Sequence, residues 1–192
     1  MASTKRPFGL QPVRIRGGSP NSGALNTYLV GASAGSSDIG NGDPVKQIPG
    51  GQLVPATAAT DYVLGVAKGF KWVDPVTKRP TWSPYLPAGT SSSDSKIYAY
   101  VVDDDRATFI VQADASVTAG DVGLNFELSA VASVNTTFGQ SQAVLKASTR
   151  TTASKMVRLI GLYDTPDNAF SDAFPIVEVR LVQTRDSQAS AF

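Results

Sequence analysis

Apolar and polar residues alternate along this chain in short runs, broken by glycine, proline and aspartate. Two neighbouring runs carry the clearest pattern. Lys96–Val102 reads KIYAYVV and Ala107–Ala113 reads ATFIVQA, both β-branched or aromatic with a period close to two. Asp103-Asp104-Asp105-Arg106 separates them, so the pair predicts a β-hairpin. Ile97, Ala99 and Val101 would share one face, and Tyr98, Tyr100 and Val102 the other. Both faces are largely apolar, which suits a sandwich or barrel better than a one-sided sheet. Ile176–Thr184 alternates as cleanly, with Ile176, Glu178, Arg180 and Val182 set against Val177, Val179, Leu181 and Gln183.

Weaker runs predict strands over 26–30, 45–48, 53–56, 63–73, 124–128, 143–145 and 156–163. Residues 31–44, 117–123 and 133–142 read as loops, and 165–174 as a loop with room for one helical turn. Residues 74–87 are rich in proline and read as irregular and partly exposed. About ten short strands with no fixed repeat and no long helix predict an all-β, antiparallel β-sandwich or barrel.

The first sixteen residues differ from the rest. Phe8, Leu10, Val13 and Ile15 are apolar, but Pro7 and Pro12 forbid a regular helix. Lys5, Arg6, Arg14 and Arg16 are basic with no acid among them. Two readings stand side by side: an extended N-terminal arm over 1–16, or a frayed terminus with a short edge strand. Residues 17–185 form the predicted β domain and 186–192 a loose tail.

Composition narrows the chemistry. The chain has 192 residues with no cysteine and no histidine. It therefore has no disulfide, thiolate nucleophile or zinc ribbon. The formal net charge is +1, so no overall field draws it to nucleic acid or a membrane surface. Lys5 and Arg6 are followed by no apolar core of a signal peptide, and no run approaches the roughly 20 apolar residues of a membrane helix. A soluble, non-enzymatic structural protein without a cofactor is the expectation.

Four motifs resemble chemistry. Gly31-Ala32-Ser33-Ala34-Gly35 matches G-x-S-x-G, but no helix pattern follows and no histidine exists to serve as base. Ser93-Asp94-Ser95-Lys96 matches S-x-x-K, yet Lys96 leads straight into a strand. Asp103-Asp104-Asp105 offers carboxylates for a hard cation but lacks EF-hand spacing. Asn135-Thr136-Thr137 is a glycosylation triplet that reads as a polar loop. No metal site follows from any of these.

Three segments together resemble a known family. They are FGLQPVR (Phe8–Arg14), YVVDDDRATFIVQAD (Tyr100–Asp114) and GLYDTPDNAFSDAFPIVEVRLV (Gly161–Val182). Their order and spacing are similar to those of the capsid decoration, or cement, proteins of tailed bacteriophages. Asp43-Pro44-Val45 and Gly65–Phe70 fit the same pattern, while Arg106 departs from it at a turn. The resemblance implies a jelly-roll-like sandwich on the outer surface of the viral capsid. It also implies binding to the major capsid protein, commonly as a homodimer across capsomer boundaries.

Within that expectation, the arm is a candidate strap. Arg6, Phe8, Leu10, Arg14, Ile15 and Arg16 would contact the capsid, and the segment would add a strand to a neighbour's sheet. Rival readings are a glycan- or receptor-binding virion module with Trp72, Trp82 and Tyr85 as its platform, a neck or tail component, and a polysaccharide-degrading enzyme using paired aspartates.

Overall fold

A computed structural model of the chain describes residues 4–15, 25–31, 36–58 and 60–182. It is all-β and antiparallel, as expected, with two six-stranded sheets and one small hairpin among the described residues.

The first sheet contains β1 (Gln11–Ile15), β8 (Ala107–Gln112), β14 (Ile176–Leu181), β13 (Val157–Leu162), β9 (Asn125–Ser129) and β12 (Val144–Thr151), in that spatial order. It curls until its last strand meets its second: Asp114 donates its N–H to the Leu145 carbonyl, next to a bridge between Ala113 and Leu145. Alternation decides what lies inside the curl. Ala107, Phe109 and Val111 of β8 and Val177, Val179 and Leu181 of β14 join Phe126, Leu145, Val157 and Leu159 in one buried cluster. Thr108, Glu178 and Arg180 take the other face by the period of two.

The second sheet runs β2 (Asn26–Leu29), β7 (Ile97–Val102), β5 (Gly65–Val73), β3 (Pro44–Gln47) and β4 (Leu53–Pro55). β6 (Pro80–Ser83) pairs with the distal half of β5. This sheet buries Val45, Leu53, Ala67, Phe70, Ala99 and Val101 beneath Ile39 and Leu86. Val66 and Val102 point instead into the first cluster, as does Leu10, and so join the two bodies of core. β10 (Val134–Asn135) and β11 (Gln140–Ser141) form the small hairpin.

The expected hairpin between Lys96–Val102 and Ala107–Ala113 is not formed. Both segments are strands, but β7 pairs with β2 and β5, whereas β8 pairs with β1 and β14. The aspartates carry the chain from one sheet to the other. Asp103 is held at the end of β7 by the Tyr28 hydroxyl at 2.5 Å and the Asn26 amide at 2.9 Å. Asp104 then turns the chain by accepting the Arg106 N–H. With both edges of each strand occupied, no edge is left for them to share.

Residues 74–87, expected to be irregular, contain a true hairpin instead. Asp74 accepts the N–H groups of Val76 and Thr77, and β6 returns along β5. Pro80 is tolerated because β6 lies on an edge. A single 3-10 turn at Ala119–Asp121 replaces the expected loop there. No helical turn forms within residues 165–174.

Candidate functional site

The N-terminal segment takes the edge-strand form rather than that of a separate arm. β1 pairs with β8, with a register shift between Pro12 and Arg14 where proline has no N–H to offer. Leu10 is wholly buried, and its N–H donates to the Gly42 carbonyl at 2.9 Å. Earlier residues are also held: Arg6 N–H donates to Gln112 Oε1 at 2.7 Å, and Gln112 Nε2 donates to the Thr4 carbonyl at 2.9 Å. Arg14 forms an ion pair with Glu178. Leu10 is therefore an anchor in the protein's own core, not one available to a neighbour. Arg6 is exposed, Phe8 and Ile15 are half-buried, and Arg16 lies outside the described residues.

Asp43 braces the turn to which this segment is bonded through Gly42. Its carboxylate is buried and accepts bonds from Gly40 N–H at 2.7 Å, Ala132 N–H at 3.2 Å and Ser141 Oγ–H at 2.5 Å. Loss of hydration disfavours the charge more than these bonds favour it, so the carboxyl is pushed up to about 6. Such a value suits acid–base chemistry, but Asp43 has no exposed surface on which a substrate could reach it. It is a structural junction. Gly9 packs against the same point at φ +70°, where a Cβ would meet Ser141 Cβ at 2.7 Å. Nearby Lys68, whose burial lowers its pKa, donates to Gln11 Oε1 at 2.5 Å.

The expected platform of Trp72, Trp82 and Tyr85 does not assemble. Adjacent strand positions point to opposite faces. Trp72 faces Thr81 across the β5–β6 pair and packs on the second core, while Trp82 faces Lys71 on the outer side. Tyr85 is half-buried beside Gly139.

A different aromatic surface takes its place. In register across the second sheet, Leu29 of β2 lies opposite Tyr98 of β7, Tyr98 opposite Lys71 of β5, and Lys71 opposite Trp82 of β6. Trp82 also stacks on Tyr100, with centroids 5.4 Å apart and planes 14° apart. Lys71 Nζ sits 5.0 Å from the Trp82 ring centroid. Trp82 is nonetheless 62% exposed and Leu29 40%. The result is a half-exposed aromatic face whose side chains are packed against one another. The alternation of Tyr98 and Tyr100 in β7 was its one sequence signal.

The remaining motifs have structural settings. Ser33 lies outside the described residues. Ser93 and Ser95 belong to a turn, with Ser95 at φ +58°, so no helix places Ser93 above Lys96. Asn135 shapes the β10–β11 turn by accepting the Thr137 N–H. Among the described residues no three acidic side chains gather as a metal site, and no helix is long and apolar enough to cross a membrane. No family model, curated protein or solved structure matches the chain.

Proposed function

We propose that this chain is a structural virion protein that binds the outer face of a tailed-phage capsid and bridges neighbouring major capsid protein subunits. The observation that carries the reading is the placement of the three segments on which the resemblance rests. Though far apart in sequence, they contribute β1, β8, β14 and part of β13, which are consecutive neighbours in one sheet, besides the last three residues of β7 in the other. The two shorter matches, at Asp43–Val45 and Gly65–Phe70, likewise meet as the paired strands β3 and β5. A jelly-roll-like strand order and a homodimer across capsomer boundaries belong to the same proposal.

Binding would stabilise the shell by mass action. A ligand that recognises only the assembled state adds about 4 kcal/mol per site at a thousandfold excess over Kd. The aromatic face around Trp82 is the surface assigned to that contact, in place of a free N-terminal strap.

The test is to add the purified protein to expanded heads assembled without it and to image the particles by electron microscopy. Density on the outer face between neighbouring subunits is the expected result. Bare heads, or density confined to the neck or tail, would overturn the proposal.

A further inference from the structure

Outside the aromatic face, the first sheet carries a second surface of different chemistry. One cross-strand row reads Arg14 on β1, Thr108 on β8, Arg180 on β14 and Arg158 on β13. Neighbouring strands lie about 4.8 Å apart, so Arg180 and Arg158 rise side by side and Arg14 stands roughly 10 Å from Arg180. The row lines a groove of about 890 Å³, with Arg106 and Asp105 at its rim.

The charges in this groove are incompletely matched. Arg14 is paired with Glu178, and Arg158 Nε donates to Asn125 Oδ1 at 2.9 Å. Among the described residues the guanidinium groups of Arg106 and Arg180 have no hydrogen-bond or ion-pair partner. Like charges directly opposite on an antiparallel pair are destabilising. Arg180 opposite Arg158 is such a pair, and an anion lying between them would remove the repulsion. Guanidinium forks suit carboxylates because two parallel N–H groups meet two oxygens.

We propose that this groove binds an acidic segment of a partner protein, with Arg158 and Arg180 holding its carboxylates. Two observations favour a peptide over nucleic acid. Asp105 at the rim and Glu178 beside Arg14 would repel a continuous phosphate backbone, and the chain's net charge of +1 provides no broad field to attract one. The groove also carries apolar side chains, Val122 and Ile160 among them, that fit the aliphatic parts of a peptide. That the segment belongs to the capsid rests on the function proposed above; the carboxylate-binding groove does not.

Fluorescence anisotropy of the full chain with a labelled peptide rich in Asp and Glu tests this, beside a lysine-rich peptide and a labelled oligothymidylate. The acidic peptide should bind saturably at low salt, and binding should fall steeply as salt is added. Arg158→Gln and Arg180→Gln should each weaken it about tenfold, the size expected of one lost charge-assisted bond of about 1.4 kcal/mol. Arg106→Gln, on an exposed turn, should weaken it severalfold without touching a strand. Arg150→Gln should leave it unchanged, because Arg150 is paired with Asp121 outside the groove. Absence of saturable binding, or binding indifferent to all three groove substitutions, would overturn the proposal. Tighter oligothymidylate binding with the same sensitivities would overturn the peptide assignment. Peptide binding by a protein that leaves capsids bare would sink the capsid reading while preserving the groove.

Discussion

Asp43 accepts a hydrogen bond from Ser141, 98 positions later in the chain, at 2.5 Å and with neither residue exposed. This bond joins the turn before β3 to β11, and Gly9 packs against Ser141 and Gly42 beside it. Burial raises the Asp43 carboxyl from 3.8 to about 6. The folded state therefore holds the proton after the unfolded chain has released it. Stability from this group is full below pH 4, declines as pH rises from about 4 to 6, and is flat above. A shift of about two units corresponds to about 3 kcal/mol. Asp43→Asn, which has no proton to lose, should abolish that decline. Urea unfolding of both proteins at several pH values checks it through their difference, in which the exposed Asp74 and Asp94, shifted the opposite way, cancel. Parallel curves from pH 4 to 6 would contradict the assignment.

Two glycines of β5 should respond oppositely to alanine. A Cβ on Gly65 would lie 2.3 Å from the Val102 carbonyl oxygen and 2.9 Å from Asp103 Cα, both backbone atoms that cannot swing aside. Overpacking of this kind costs about 1–3 kcal/mol and sometimes more, so Gly65→Ala should lose at least about 2 kcal/mol. A Cβ on Gly69 would meet only the Ser83 carbonyl, at an ordinary 3.5 Å. Gly69→Ala should be neutral or gain up to roughly 1 kcal/mol, because alanine loses less backbone freedom on folding. Chemical denaturation of the two variants side by side decides the matter.

These contrasts mark where the sequence is readable. Alternation in β14 set Val177, Val179 and Leu181 against Glu178 and Arg180, and the first set lies in the core, since the period of two is a property of each strand alone. Pairing is not such a property. The run Asp103–Arg106 looked like a hairpin turn, but nothing local to it records that β2 and β5 already flank β7. Conversely, proline at 80 concealed the β5–β6 hairpin, because its cost vanishes on an edge. The two surface rows were hidden for the same reason. Leu29, Tyr98, Lys71 and Trp82 come together only through three pairings, one of them shifted by a bulge between Ala67 and Gly69. The charged face of β14 was visible in sequence, whereas the placing of Arg158 opposite Arg180 was not.

The N-terminal segment gives a prediction that separates strap from strand. Leu10 is fully buried with Phe109 and Val66 in the first core. Leu10→Ala should cost about 2–5 kcal/mol, the usual range for a buried leucine. Removing residues 1–7 should cost far less. Between the described residues of that stretch and the body of the protein run two hydrogen bonds to Gln112, each contributing about 1 kcal/mol. Thermal unfolding of both variants checks the ordering. A harmless Leu10→Ala would restore the idea of a segment free to leave the body.

Trp82 offers the sharpest division between stability and binding. It is one of two tryptophans, is 62% exposed, and is held by Tyr100 and Lys71 rather than by the core. Trp82→Ala should therefore cost only about 1 kcal/mol of stability, the scale of an aromatic pair or an exposed cation–π contact. If its ring is a central contact with the capsid, the same change should weaken binding at least thirtyfold, matching the roughly 2 kcal/mol of an interface hot spot. Trp72→Phe is the counterpart: its ring packs on the second core, so it should alter stability and leave binding alone. That variant also leaves Trp82 as the sole tryptophan, whose emission should shift to shorter wavelength when the capsid covers it. An unshifted spectrum with full occupancy on the heads would move the contact away from this face.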